Sequence, residues 1–344
     1  MSRREGQSRI ERLRTFPRRF WRRWVSLMDI REDATSLALV RIAVAVVLLT
    51  DQLIAGKLGI VENLWGPHTH GGLALAANQS PMPLMFELFG AEAATAHILW
   101  WTMVGGCVCL ALGVFSRVAA AVVVFASAQE AMIYPIGDRG IDIALRAVCL
   151  ILVFSRCGAT LSLEGYIRRG KLRPRELVPA WPRYFVILQV CWIYFSAGFH
   201  KRGDWWPWRG SSALWRILHD PHFARFDIGG WDWFYPFTQL GTLGTMFFEL
   251  TPPIFMLALY YRRFPQRAGR IGRFLNAMRF RELWLFLGVS FHLGLLATMR
   301  LGIFPLGMLA CYPAFFAPDE IEAALGAVRG RLPFGAKRKA AAAA

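Results

Sequence analysis

Apolar residues arrive along this chain in blocks of about 20, the length a helix needs to cross a bilayer, and they do not alternate with polar residues inside the blocks. The pattern predicts eight helical spans over residues 36–56, 95–115, 118–136, 140–158, 184–201, 241–261, 283–300 and 302–320. Two are imperfect: 118–136 carries Gln129 and Glu130, and 302–320 is interrupted by Pro305 and Pro313. Such breaks are tolerated in a bundle, where neighbouring helices satisfy the freed backbone groups. The expected fold is all-α, a polytopic membrane helix bundle of about eight transmembrane helices.

The polar stretches give that bundle a direction. With the N-terminus inside, 30 of the 40 Lys and Arg residues fall on the cytoplasmic side and 8 outside, with Arg41 and Arg146 within spans. This bias predicts an even number of spans, both termini being cytoplasmic. Residues 1–32 form a basic segment in which Phe16, Phe20, Trp24 and Leu27 recur at helical spacing among Arg18, Arg19, Arg22 and Arg23. That is the pattern of an amphipathic interfacial helix on an anionic leaflet, and a poor match to a cleaved signal peptide. The transmembrane domain is expected over 33–320 and a basic cytoplasmic tail over 321–344, where Ala340–Ala344 reads as a linker remnant.

Composition agrees, with 55% hydrophobic, 14% aromatic and only 18% charged residues, against roughly a quarter charged in soluble proteins. The net charge of +17 is topological, so no nucleic-acid partner is expected; membrane lipid is. The six cysteines avoid the external loops, so no structural disulfide is expected. Cys107 and Cys109 are spaced to point apart on a helix, and no metal site is expected.

Ionisable residues within spans are expensive and point to function. Here they are Arg41, Asp51, Glu130, Asp142, Arg146, Glu249 and His292, with His200 and Lys201 at an outer span end. Arg41 can snorkel to the inner interface; the directions of the spans place the rest in the outer half, as if around one external pocket. Asp138, Asp142 and Arg146 share a helix stripe, on which Asp142 can pair with Arg146. Glu249 precedes the helix-breaking Thr251-Pro252-Pro253. Lys201 beside His200 suits a general base if its amine loses its proton, and a snorkelling cation if not. The 202–240 connection holds six tryptophans, among them Trp205 and Trp206. These read either as an aromatic belt or as part of a lid with a short helix around Ser212–His219.

The stretch Tyr194-Phe195-Ser196-Ala197-Gly198-Phe199-His200-Lys201-Arg202-Gly203-Asp204-Trp205 resembles the segment around the catalytic lysine of vitamin K-dependent gamma-carboxylases and of the horizontally transferred transmembrane (HTTM) domain. Leu37–Ile42, Ser162–Gly165, Phe247–Pro252, Phe291–Gly294 and Gly302–Ala310 resemble the family in the expected order. The resemblance implies an integral membrane enzyme with Lys201 as the base that deprotonates a membrane quinol, menaquinol or vitamin K-like, in an outward-facing pocket. His200, His292 and Glu249 join Lys201 as candidate catalytic residues; Asp51, Glu130, Asp142, Arg146, Trp205 and Trp206 are candidate pocket residues. Cys157–Leu161 lacks the histidine that carboxylases carry there, and no large region follows the bundle in this sequence. These departures shift the expectation from glutamate carboxylation to a quinone-linked or peptide-processing role. The sporulation-delaying-protein B group shares the resemblance and implies maturation of a secreted peptide or toxin at a bacterial inner membrane, with a peptide client and an accessory maturation protein as partners. The alternative is a non-catalytic transporter or lipid- or quinone-binding membrane protein.

Overall fold

The computed structural model describes residues 18, 21–22, 24–26, 28–74, 82–207 and 210–331. A short strand β1 (Arg31–Asp33) leads into the long apolar helix α1 (Thr35–Lys57), where Asp33 accepts from the backbone N–H of Thr35, which has no partner within the helix, at 2.9 Å. Two short helices, α2 (Val61–Trp65) and α3 (Leu84–Phe89), bring the chain to α4 (Ala93–Leu112), α5 (Ser116–Ile133) and α6 (Gly140–Val153). Gly113, with φ +74°, ends α4 in the left-handed conformation that permits the tight turn into α5. Then come α7 (Leu163–Arg169), strand β2 (Leu177–Pro179) and α8 (Trp181–His200). β2 pairs antiparallel with β1, Glu32 opposite Val178.

The short helix α9 (Ala213–Leu218) precedes α10 (Tyr235–Leu250) and α11 (Pro252–Arg263), which meet at Thr251 with a 57° bend. The chain closes with α12 (Arg270–Ala277), α13 (Phe280–Thr298), α14 (Phe304–Ala310), a 3-10 turn over Tyr312–Phe315 and α15 (Pro318–Arg331). One group of helices stacks α1 on α4, α4 on α5 and α5 on α6; a second joins α8 to α10, α11 to α8 and α13 to α11. α14 and the following turn pack on α1 and tie the two groups together.

Among the described residues four helices, α1, α4, α5 and α13, are long and apolar enough by themselves to cross a membrane, and the bent α10–α11 pair makes a fifth if it is counted as one span. The remaining expected spans are helical but atypical. α6 has 14 residues, about 21 Å at 1.5 Å per residue; α8 carries Arg183, Gln189 and His200; and the last span is broken into α14 and the 3-10 turn. Trp24 and Met28 of the N-terminal segment line a cavity with Arg183 and Arg281, whereas Phe16, Phe20 and Leu27, like Ala340–Ala344, lie outside the described residues.

Buried arginines lock the ends of these helices. Arg41 does not snorkel: it is fully buried, donating to Ser116 Oγ at 3.2 Å and to the Leu161 carbonyl. The tight α4–α5 turn brings Ser116 within its reach, and a Cβ at Gly113 would overlap the guanidinium. Arg183 is gripped by both Glu32 oxygens at 2.6 and 2.7 Å and donates to the Ala314 carbonyl. Arg281 does the same with Glu320 and the Phe315 carbonyl. Both were counted as loop charges; Arg183 joins three distant parts of the chain, and Arg281 ties α13 to the segment that follows the last span. All six cysteines are free thiols.

For an even-span topology, single cysteines replacing exposed His70 and His222 react with a membrane-impermeant thiol reagent in intact cells, and one replacing exposed Lys171 does not. Labelling at position 171 would overturn it.

Candidate functional site

α8 ends at His200, so the next side chain, Lys201, leaves the helix toward α10, where Glu249 occupies the last turn before the bend. Lys201 Nζ donates to both carboxylate oxygens of Glu249. The carboxylate side of this pair is 5% exposed and the lysine 24%. Glycine makes the approach possible: a Cβ on Gly198 would sit 2.8 Å from Glu249 Cβ, closer than unbonded carbons pack. The bend leaves Glu249 free for this role, because other groups satisfy the interrupted backbone. Thr251 Oγ donates to the Phe247 carbonyl at 2.7 Å, and the Trp284 indole to the Phe248 carbonyl at 3.1 Å.

Above the pair lies a cavity of about 500 Å³ lined by Lys201, Trp205, Trp206, Leu214, Thr242 and Phe291, among others. The Trp206 ring lies 5.0 Å from Lys201 Nζ, a cation–π distance. The roof is tied at both edges: the Leu214 N–H donates to Thr242 Oγ1 at 3.1 Å, and the backbones of Phe223 and Arg225 bond those of Arg300 and Thr298. Trp205 and Trp206 line the cavity, Trp205 also being exposed on its other side, while Trp231 and Trp233 are exposed, stack on each other and line no part of it.

Other expected members lie elsewhere. His200 is exposed, its Nδ1 donating to the Ser196 carbonyl at 2.8 Å one helical turn back; it does not share Lys201's surroundings. His292 is fully buried, with Nε2 2.6 Å from Tyr194 Oη, which in turn lies 3.2 Å from Tyr312 Oη. Its neighbour Phe291 faces the cavity instead.

Asp51, Glu130, Asp142 and Arg146 do not converge on Lys201. They line a separate cavity of about 240 Å³ between α1, α5 and α6, so the single external pocket divides in two. Within it Asp142 does not pair with Arg146. Arg139, at the start of α6, bridges Asp142 at 2.8 Å and Asp51 at 2.6 Å, while Arg146 bonds Asp138 at 2.7 Å and the Ser127 side chain at 3.0 Å. The Arg139 guanidinium is held above its usual range, chiefly by Asp142 and further by Asp51, against the opposing effect of burial.

Sequence reasoning passed over Arg139, Gln52 and the cavity threonines. A signal for the threonines existed: Thr242, Thr245 and Glu249 lie three and four residues apart, on one face of α10. Chemically, the first cavity offers a lysine paired with a buried carboxylate under an aromatic roof, with the Thr245 hydroxyl oxygen as an acceptor, its proton going to the Gly241 carbonyl; the Thr242 hydroxyl is committed to Thr238 and Leu214.

Overpacking typically costs about 1–3 kcal/mol, so Gly198→Ala is expected to lower the thermal unfolding midpoint. Gly105→Ala on α4, where a Cβ meets nothing within 4 Å, should leave it unchanged or raised. Equal midpoints for both variants would show that the α8–α10 approach is not tight.

The HTTM domain family matches residues 30–265, a range that includes Lys201 and Glu249. No curated protein and no solved structure matches the chain.

Proposed function

The chain belongs to the HTTM domain family, membrane proteins related to the vitamin K-dependent carboxylases, and from that membership we propose that it is an enzyme whose chemistry runs at Lys201. The observation that carries this reading is that Lys201, which lines a roofed cavity, is paired with the buried carboxylate of Glu249. A lysine that served only to hold charge at an interface would extend to water; this one turns inward onto a buried carboxylate.

Transfer of one proton from Lys201 Nζ to Glu249 leaves a neutral amine, the form a general base requires. The amine then accepts a proton from an acidic group of a ligand held above it, which leaves the ligand anion facing the Lys201 ammonium and the proton on Glu249. Trp206 shields the ammonium from bulk water, and the Thr245 hydroxyl oxygen offers an acceptor for orientation. The cavity fits a lipid quinol: Trp205, Trp206, Phe291 and Leu295 provide aromatic and aliphatic walls, and Lys201 with Thr245 provides polar partners. When bound, a quinol supplies the acidic hydroxyl and the reducing equivalents. The substrate we propose is a peptide or small molecule reached from the outer face, as in maturation of a secreted peptide by an eight-span protein of a bacterial inner membrane with both termini cytoplasmic.

Arginine keeps the charge of Lys201 but cannot lose its proton. Lys201→Arg therefore lowers client processing on the order of 10²-fold or more, with expression and thermal stability near wild type. Normal processing by that variant would remove Lys201 from the chemistry. A quinone is likewise expected in lipid extracts of the purified protein, in smaller amount from Trp206→Ala; none in wild-type extracts would remove the cofactor from the account.

A further inference from the structure

The second cavity contains more acid than base. Four carboxylates line it, Asp51, Glu130, Asp138 and Asp142, against two guanidiniums, Arg139 and Arg146. The arginines are committed to Asp51, Asp142 and Asp138. Among the described residues Glu130 has no cation in contact; its side-chain donor is the Gln52 amide, whose Nε2 reaches the two carboxylate oxygens at 3.0 and 3.3 Å. In this orientation the amide nitrogen faces the carboxylate and the amide oxygen faces away from it. Gln52 Oε1 is left buried without a donor, on a residue only 5% exposed that lines the cavity. A buried acceptor with no donor is costly, and here it stands beside a carboxylate with no cation.

We infer that this cavity is a binding site for a primary alkylammonium group, with Glu130 taking its charge and Gln52 Oε1 one of its N–H donors. A metal ion suits the residues less well: among those described, no three His, Cys, Asp or Glu side chains are grouped to hold one. Ile60, Leu64, Trp65 and Met103 on the opposite walls call for an aliphatic stem behind the charge. At about 240 Å³ the cavity is smaller than the roughly 300–1,000 Å³ of drug-sized pockets, so the stem is short. The same ammonium could be presented by a free alkylamine or by the ethanolamine headgroup of a lipid. The site shares no lining residue with the Lys201 cavity and stands independently of the function proposed there.

The test uses the full chain in phosphatidylglycerol nanodiscs, with n-pentylamine titrated calorimetrically and n-pentanol and pentanoate as uncharged and anionic controls. Pentylamine should bind and the controls should not. Glu130→Gln, which keeps the shape but not the charge, should weaken binding about tenfold or more, while Lys201→Ala leaves it unchanged. If the natural source is the lipid headgroup, pentylamine binds more weakly in phosphatidylethanolamine nanodiscs; if it is a free amine, affinity is the same in both. Pentanol binding as tightly as pentylamine, or Glu130→Gln retaining wild-type affinity, would overturn the inference. The wild-type comparison of ligands decides the matter even if the variant fails to fold.

Discussion

An ammonium and a carboxylate face each other where two helices end, and much of the second helical group is arranged to allow it. A buried ion pair loses hydration on both sides and persists only with close geometry and support around it. Gly198 lets α8 approach α10, the break at Thr251 turns the chain just after Glu249, and Trp284 satisfies the carbonyl that precedes it. Around Trp284 gather Phe248, Phe255 and Phe315, whose rings pack within 4.1 to 5.7 Å of it. The aromatic core thus fixes the helix break, and the helix break presents the carboxylate.

The same need for internal partners explains the other buried charges. Arg41, Arg183 and Arg281 each end on backbone carbonyls that no helix could satisfy, at turns such as Leu161, Ala314 and Phe315. In an apolar bundle these arginines are joints between elements. The fold has two helical groups, each with its own cavity, and the α14 segment and the following turn bridge them by packing on α1.

Much of this was legible in the sequence. Block length predicted helices at each expected span, and the short helix near Ser212–His219 is present as Ala213–Leu218. Lys201 and Glu249 stood out because charge inside an apolar block is expensive. What stayed hidden was the rotation of one helix against another. Depth along a span can be read by counting residues, but the direction of a side chain around the helix axis depends on packing. Hence His200 and Lys201, adjacent in sequence, diverge, and Glu130 and Glu249, both expected in one pocket, belong to two. Arg139 was counted as a loop charge; its bridging of Asp51 to Asp142 depends on a fold that brings α1 beside α6.

The central claim is that the Lys201–Glu249 pair exists for chemistry and not only to join α8 to α10. The most direct measurement exchanges the two residues in one chain, Lys201→Glu with Glu249→Lys, and compares thermal stability and client processing with each single variant. Exchange keeps an ion pair between the helices but moves the amine from the rim to the more deeply buried position. Stability is expected to recover toward wild type relative to the single variants while processing remains lost. Recovery of both stability and processing would contradict it, because any ion pair at that junction would then suffice.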